Sequence, residues 1–204
     1  MVAYGDFDLR KVTTDFGLVC EQDTDLFADA APVPPSDELR KWLDRFSVLA
    51  LGLGSDLARG AYLLSPIFAE VMRRASSPVL VFPGVTFDVD KARGLTGTCD
   101  YLMSRAREVY YLRGPLFVAV AARRDDPGGG LGQCAAQMVA VRMFNEKDKT
   151  PLEAVYGCVT TGNLWRFLKL EGDTLTIDKT EYHIQNVAAI LGVLVEIAGS
   201  APPV

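Results

Sequence analysis

A single histidine, His183, and four cysteines with no two in a C-x-x-C pair leave little material for a zinc site or a disulfide framework. Cys20, Cys99, Cys134 and Cys158 stand alone in the chain, which predicts reduced thiols and a cytoplasmic protein. The longest apolar stretch, Val187 to Val195, falls far short of the roughly 20 residues a bilayer-crossing helix needs, so no membrane partner is expected. Met1 to Arg10 mixes acidic and polar residues and lacks the apolar core of a signal peptide. No Gly-Lys-Ser/Thr follows a glycine loop, which excludes a Walker A site. No nucleophile elbow supports Ser/His/Asp catalysis. Repeats and low-complexity tracts are absent. With a net charge of −5 the chain has no global positive field for holding a polyanion, although a local basic cleft stays open to it.

What is there is one α/β core's worth of sequence, 204 residues with 49% hydrophobic content. Asp6 to Gly17 reads as a short helix closed by its glycine. Cys20 to Ala31 reads as an acidic short helix or loop. After Pro32 to Pro35, Ser36 or Asp37 caps a helix with Leu39, Trp42, Leu43 and Phe46 on one face. Ser47 to Leu53 is ambiguous, and Ser55 caps a longer helix that ends at Arg73 and Arg74. Val79 to Phe82, Val85 to Val89, Thr98 to Met103, Val109 to Leu112 and Leu116 to Arg123 read as a strand meander. Val155 to Thr161, Leu164 to Leu170 and Leu175 to Lys179 give three more strands, and Ile184 to Ile197 a closing helix. The order predicts one domain over residues 1–204, with a helical extension at 1–46 and the core at 47–199. A central mixed sheet flanked by helices is the expected architecture.

The centre of the chain is the passage over residues 115–145. An apolar strand ends in Arg123-Arg124-Asp125-Asp126-Pro127, glycines 128–130 turn the chain, and Leu131, Cys134, Ala135, Met138 and Val141 recur at helical spacing. Gly130-Leu131-Gly132-Gln133-Cys134-Ala135 fits the dinucleotide pattern G-x-G-x-x-A. Its context does not: Glu153, about 20 positions on, precedes the next strand instead of ending it, and no βαβ series follows. The glycines are better read as strand-to-helix geometry.

Three segments together carry a resemblance. Gly94-Leu95-Thr96-Gly97-Thr98-Cys99-Asp100, Gly130 to Cys134, and Thr160-Thr161-Gly162-Asn163-Leu164-Trp165-Arg166-Phe167-Leu168-Lys169-Leu170 resemble a small bacterial branch of the PD-(D/E)XK nuclease-like superfamily, over about Asp6 to Ile197. The resemblance implies a restriction-endonuclease-like core with added N-terminal helices. It also implies an aspartate on one strand and a glutamate on the next holding Mg²⁺, and a lysine two residues beyond the glutamate, with metal and lysine activating water. On that pattern Asp100 is the metal and catalytic aspartate and Arg123 stands at the lysine position. Ala121 stands where the glutamate belongs, and Ala61 where a helix glutamate often completes the site.

So E-x-K has become Ala-Ala-Arg. A lone carboxylate is a poor Mg²⁺ site, and arginine keeps the charge without acting as a base. The resemblance therefore implies a nuclease-like protein with a degraded metal site and no bound cofactor, with Mg²⁺ expected only if a site survives. Nucleic acid is the implied partner, held through Arg123, Arg124, Gln133, Gln137 and Arg142; Gln133 and Gln137 lie four apart and project together from one helix. Two alternatives stand beside this. An active Mg²⁺ nuclease could use relocated carboxylates from Asp125, Asp126 or Glu70; Asp125-Asp126-Pro127 also reads as an ordinary helix-start turn. A non-catalytic subunit could bind a protein partner or a second copy of itself, which suits the acidic balance. Asp88 and Asp90 read as a solvated strand face, His183 as a surface residue, and Trp165 and Phe167 as core.

Overall fold

The computed structural model describes residues 2–122 and 128–200. Asp8 opens α1 (Leu9–Phe16) by accepting from the Lys11 N–H, and Gly17 closes it in the left-handed conformation. β1 (Val19–Glu21) follows, then α2 (Asp37–Gly52), whose cap is Ser36: its Oγ accepts from the Leu39 N–H at 3.2 Å. Ser55 caps α3 (Asp56–Arg59), a π turn spans Gly60–Leu64, and α4 (Ser65–Arg74) follows directly, so that residues 56–74 run as one composite helix. The remaining elements are β2 (Leu80–Thr86), β3 (Thr98–Ser104), β4 (Leu116–Ala122), α5 (Leu131–Lys147), β5 (Ala154–Thr160), β6 (Leu164–Glu171), β7 (Thr174–Ile177), β8 (Tyr182–His183) and α6 (Val187–Ser200).

Among the described residues these strands form one mixed sheet of eight, in the order β1-β7-β6-β5-β4-β3-β2, with β8 on β6. β4 and β5 run parallel and are joined through α5, and β1 and β7 are also parallel; the other pairs are antiparallel. The α/β architecture with a central mixed sheet flanked by helices is as the sequence predicts. α5 and α1 cover one face, burying Leu116, Ala119, Ala121, Cys134, Met138 and Val159. The composite helix and α6 cover the other, around Phe68, Val118, Val120, Trp165 and Phe167. Because both faces are covered, β4 reads as an unbroken apolar run instead of alternating.

Several local readings change. Only the head of the acidic stretch Cys20 to Ala31 enters the sheet, in β1, since pairing to β7 supplies the hydrogen bonds its composition does not advertise; the rest is turn and loop. Ser47 to Gly52 continues α2, so the expected boundary at 46/47 falls inside a helix. Tyr4, Phe7, Val12 and Leu18 are buried in the main core, which makes the N-terminal segment part of it. Pro83-Gly84 lies within β2, with Gly84 in the left-handed region. Val109 to Leu112 forms no strand; Tyr110 and Tyr111 stand exposed in the loop between β3 and β4.

Close approach explains the central glycines. A methyl group at Gly132 would overlap the backbone of Phe7 and Asp8, so the start of α1 rests directly on the first turn of α5. On the sheet side, a methyl group at Gly157 would lie 2.8 Å from Cys134 Sγ. The glycine pattern that imitates a dinucleotide fingerprint serves helix packing.

Candidate functional site

The start of β3, the end of β4 and the composite helix meet at one end of the sheet around a cavity of about 400 Å³. Asp56, Ala61, Ser65, Asp100, Tyr101 and Ala122 are on its wall. The place is the one elementary topology favours, outside the carboxyl end of a parallel strand. Asp100 Oδ2 accepts from the Ala122 N–H at 2.8 Å, bridging β3 to the last residue of β4. Tyr101 turns to the helical face, where its hydroxyl lies 3.1 Å from Ser65 Oγ. A methyl group at Gly60 would come within 2.9 Å of that hydroxyl, so the glycine lets the π turn settle over Tyr101.

The charge of Asp100 is felt locally. Burial first, then the nearby carboxylate, raises the Cys99 thiol far above its ordinary value. Cys134 is pushed up to about 12, chiefly by burial and, in smaller part, by Asp100; backbone hydrogen bonding opposes the shift. Both thiols are therefore inert packing groups, not nucleophiles.

Of the residues expected at the site, the structure brings Asp100 and Ala61 to the same cavity. Ala121, at the expected glutamate position, is fully buried in the core beneath α5, and Ala122 is the β4 residue on the cavity wall. Arg123, Arg124, Asp125 and Asp126 lie outside the described residues. Asp56 joins the wall without having been signalled, because it sits in the sequence as an ordinary first-turn acid after the Ser55 cap.

Three expectations are corrected. Gln137 does not project with Gln133 toward a ligand: it is fully buried in α5, and neither amide atom has a hydrogen-bond partner. Its four-residue spacing from the half-buried Gln133 is real, but a helix covered on both sides has no polar face there. Arg142 lies three turns along α5, where its Nη1 donates to the Gly172 carbonyl and stands 3.6 Å from Asp173 Oδ1; it clamps the β6–β7 turn. Glu70 does not reach toward Asp100. It is buried and accepts from the Ser36 N–H and Oγ, from Arg73 at 2.7 Å and from Arg74 at 3.0 Å. Burial alone would raise its pKa, but those donors outweigh it and hold the carboxyl at about 2.

Asp88 and Asp90 close a turn. Asp88 accepts from Thr96, from the Gly97 N–H at 3.1 Å and from Lys91, with Thr96 contributing most to a pKa of about 2. The Thr160-Thr161-Gly162 segment is likewise structural. Its hydroxyls and the Gly162 carbonyl bond within the β5–β6 turn, and the Trp165 indole N–H reaches that carbonyl at 3.2 Å, with Trp165 and Phe167 fully buried. No three His, Cys, Asp or Glu side chains converge on a metal position among the described residues, and no described helix is long and apolar enough to cross a membrane.

No family model matches the chain, and no curated protein is significantly similar to it.

Proposed function

We propose that this chain is a PD-(D/E)XK nuclease-like protein that has lost its metal site and acts by binding a partner at the former catalytic cleft. The observation that carries the reading is the convergence of Asp100, Ala61 and the end of β4 on one cavity. These are the elements from which the resembling family draws its acids, and alanine occupies two of the three positions. Asp100, left behind, accepts from a backbone N–H and works as a strand-end brace. Mg²⁺ needs several hard oxygen ligands in octahedral order, which a braced carboxylate with one exposed neighbour does not supply.

Asp56 gives the active-nuclease reading its one foothold, since it places a second carboxylate on the same wall. Titration calorimetry with Mg²⁺ and Mn²⁺ separates the two. The binding-protein reading expects no specific site. A tight site lost in both Asp100→Ala and Asp56→Asn, accompanied by metal-dependent cleavage of DNA or RNA, would overturn it. Nucleic acid as the partner rests on Arg123 and Arg124, and predicts salt-dependent binding to a duplex or single strand that Arg123→Ala weakens.

A further inference from the structure

The two ends of the β3–β4 pair carry different chemistry. Asp100 stands near the start of β3, whereas Ser104 pairs with Leu116 at the far end, where residues 105–115 connect the strands. Four residues of extended chain put that connection on the order of 13 Å from Asp100. Its root is braced on both sides. Ser104 Oγ donates to the Arg113 carbonyl at 2.7 Å and accepts from the Ala106 N–H at 3.0 Å. Asp148 Oδ2 accepts from the Gly114 N–H at 2.7 Å, and Glu108 Oε1 accepts from the Tyr110 N–H at 2.9 Å.

What this connection presents to solvent serves no purpose in the fold. The chain bends at Tyr110 and Tyr111, which are 92% and 58% exposed. Among the described residues neither tyrosine side chain makes a hydrogen bond or a ring contact. Arg107 and Arg113 flank them, both exposed and neither in an ion pair among the described residues. Arg105, at the root, is 4% exposed, lies 5.1 Å over the Phe117 ring, and has no partner for its Nε or Nη2. Three arginines and one glutamate give residues 105–113 a charge of +2 (3 − 1) in a chain of net −5. Asp148 and Lys149, on the turn that meets Gly114, cancel one another.

We infer that the β3–β4 connection binds single-stranded nucleic acid, with bases stacked on Tyr110 and Tyr111 and phosphates held by Arg107 and Arg113. An aromatic face left in water is a stacking platform, and a base on it contributes about 1–3 kcal/mol. A planar guanidinium without a carboxylate forks two phosphate oxygens. The uncompensated charge of Arg105 beneath them adds to the potential that draws a polyanion to this end of an otherwise acidic protein. A duplex keeps its base faces in its own stack, so only an unpaired strand offers them to the tyrosines. An acidic peptide would satisfy the arginines and leave both rings in water. Contacts to base faces and phosphates ignore the sugar, so DNA and RNA strands bind alike. The site lies away from the Asp100 cleft and stands independently of it.

The test is fluorescence anisotropy of labelled oligothymidylate and oligouridylate, about ten nucleotides long, with the full chain at low salt. Saturable binding of both is expected, with a duplex bound more weakly. Tyr110→Ala with Tyr111→Ala should weaken binding about tenfold or more and leave its salt dependence unchanged, while phenylalanine at both positions preserves it. Arg107→Ala with Arg113→Ala should instead flatten the slope of log K against log salt by about 1.4, two phosphates at about 0.7 each. All four side chains are exposed, so the fold survives these changes. No binding of either strand, unchanged binding by the tyrosine double variant, or tighter binding of a glutamate-rich peptide than of oligothymidylate would overturn the inference. Binding lost in Arg123→Ala but untouched by the four substitutions overturns it too, and leaves nucleic acid at the cleft standing.

Discussion

Asp100 and Ala122 are joined by a 2.8 Å hydrogen bond from the backbone N–H of the last β4 residue to the carboxylate of the third residue of β3. A side chain that the resemblance assigns to a metal thus ties two strands together where their ladder ends. Asp100→Ala should cost about 1–2 kcal/mol by leaving that N–H without its acceptor, and Asp100→Asn less. Urea denaturation with and without Mg²⁺ checks it. A wild-type midpoint that rises with Mg²⁺ would mean the carboxylate is a ligand after all.

Rebuilding the acid site discriminates between neighbouring positions on β4. Ala61→Glu with Ala122→Glu puts two carboxylates on the cavity wall beside Asp100 and should create Mn²⁺ affinity measurable by calorimetry. Ala121→Glu, the change the motif alone recommends, puts a carboxyl into a fully buried core position and should destabilise the fold by several kcal/mol. If Ala121→Glu folds as well as wild type and binds metal, the register of the cleft is other than described.

Glu70 makes a pH prediction. Its pKa in the folded chain is about 2, below the 4.5 of an unpaired glutamate, so its bonds to Ser36, Arg73 and Arg74 stabilise the protein above pH 4.5 and lose that contribution as pH falls toward 2. Glu70→Gln should be destabilised on the order of 2 kcal/mol at pH 7, and the gap to wild type should close in acid. Denaturation midpoints across pH 2.5–7 read this directly. A gap independent of pH would show that the charge is not what matters.

The sheet and most of its strands are legible from apolar runs and turn residues, because β3 to β7 follow ordinary patterning. The misreadings share one cause: a partner distant in sequence decides the local state. The acidic stretch around Cys20 becomes a strand only because β7 lies beside it, and Gln137 looks like a surface glutamine only until α1 and the sheet enclose α5. Asp100 and Ala61 stand at positions the resemblance names, whereas Asp56 reaches the same cavity wall because α3 lies against the end of the sheet, which no periodicity announces.

Gln137 itself is testable. Replacing it by Leu or Met should leave the fold intact and stabilise it by about 1 kcal/mol, since both amide atoms are buried with no bonds to lose. Loss of stability in both variants would point to a buried water serving the amide.

Gly132 is the least replaceable residue of the central helix. Gly132→Ala should cost more than about 2 kcal/mol, because the methyl group meets the backbone of Phe7 and Asp8 instead of a side chain that could yield. Chemical denaturation measures it; a change under 0.5 kcal/mol would mean that α1 moves aside freely.

The parallel pairing of β1 with β7 has a bearing on synthesis. Val19 to Glu21 leave the ribosome early, yet their partners Thr174 to Thr176 emerge roughly 150 residues later, a separation that places the contact among the slowest to form. Until then Val19 to Glu21 have no strand to pair with. Closure of the β1–β7 seam is therefore the step at which a ribosome-bound or truncated chain is most exposed to mispairing with another.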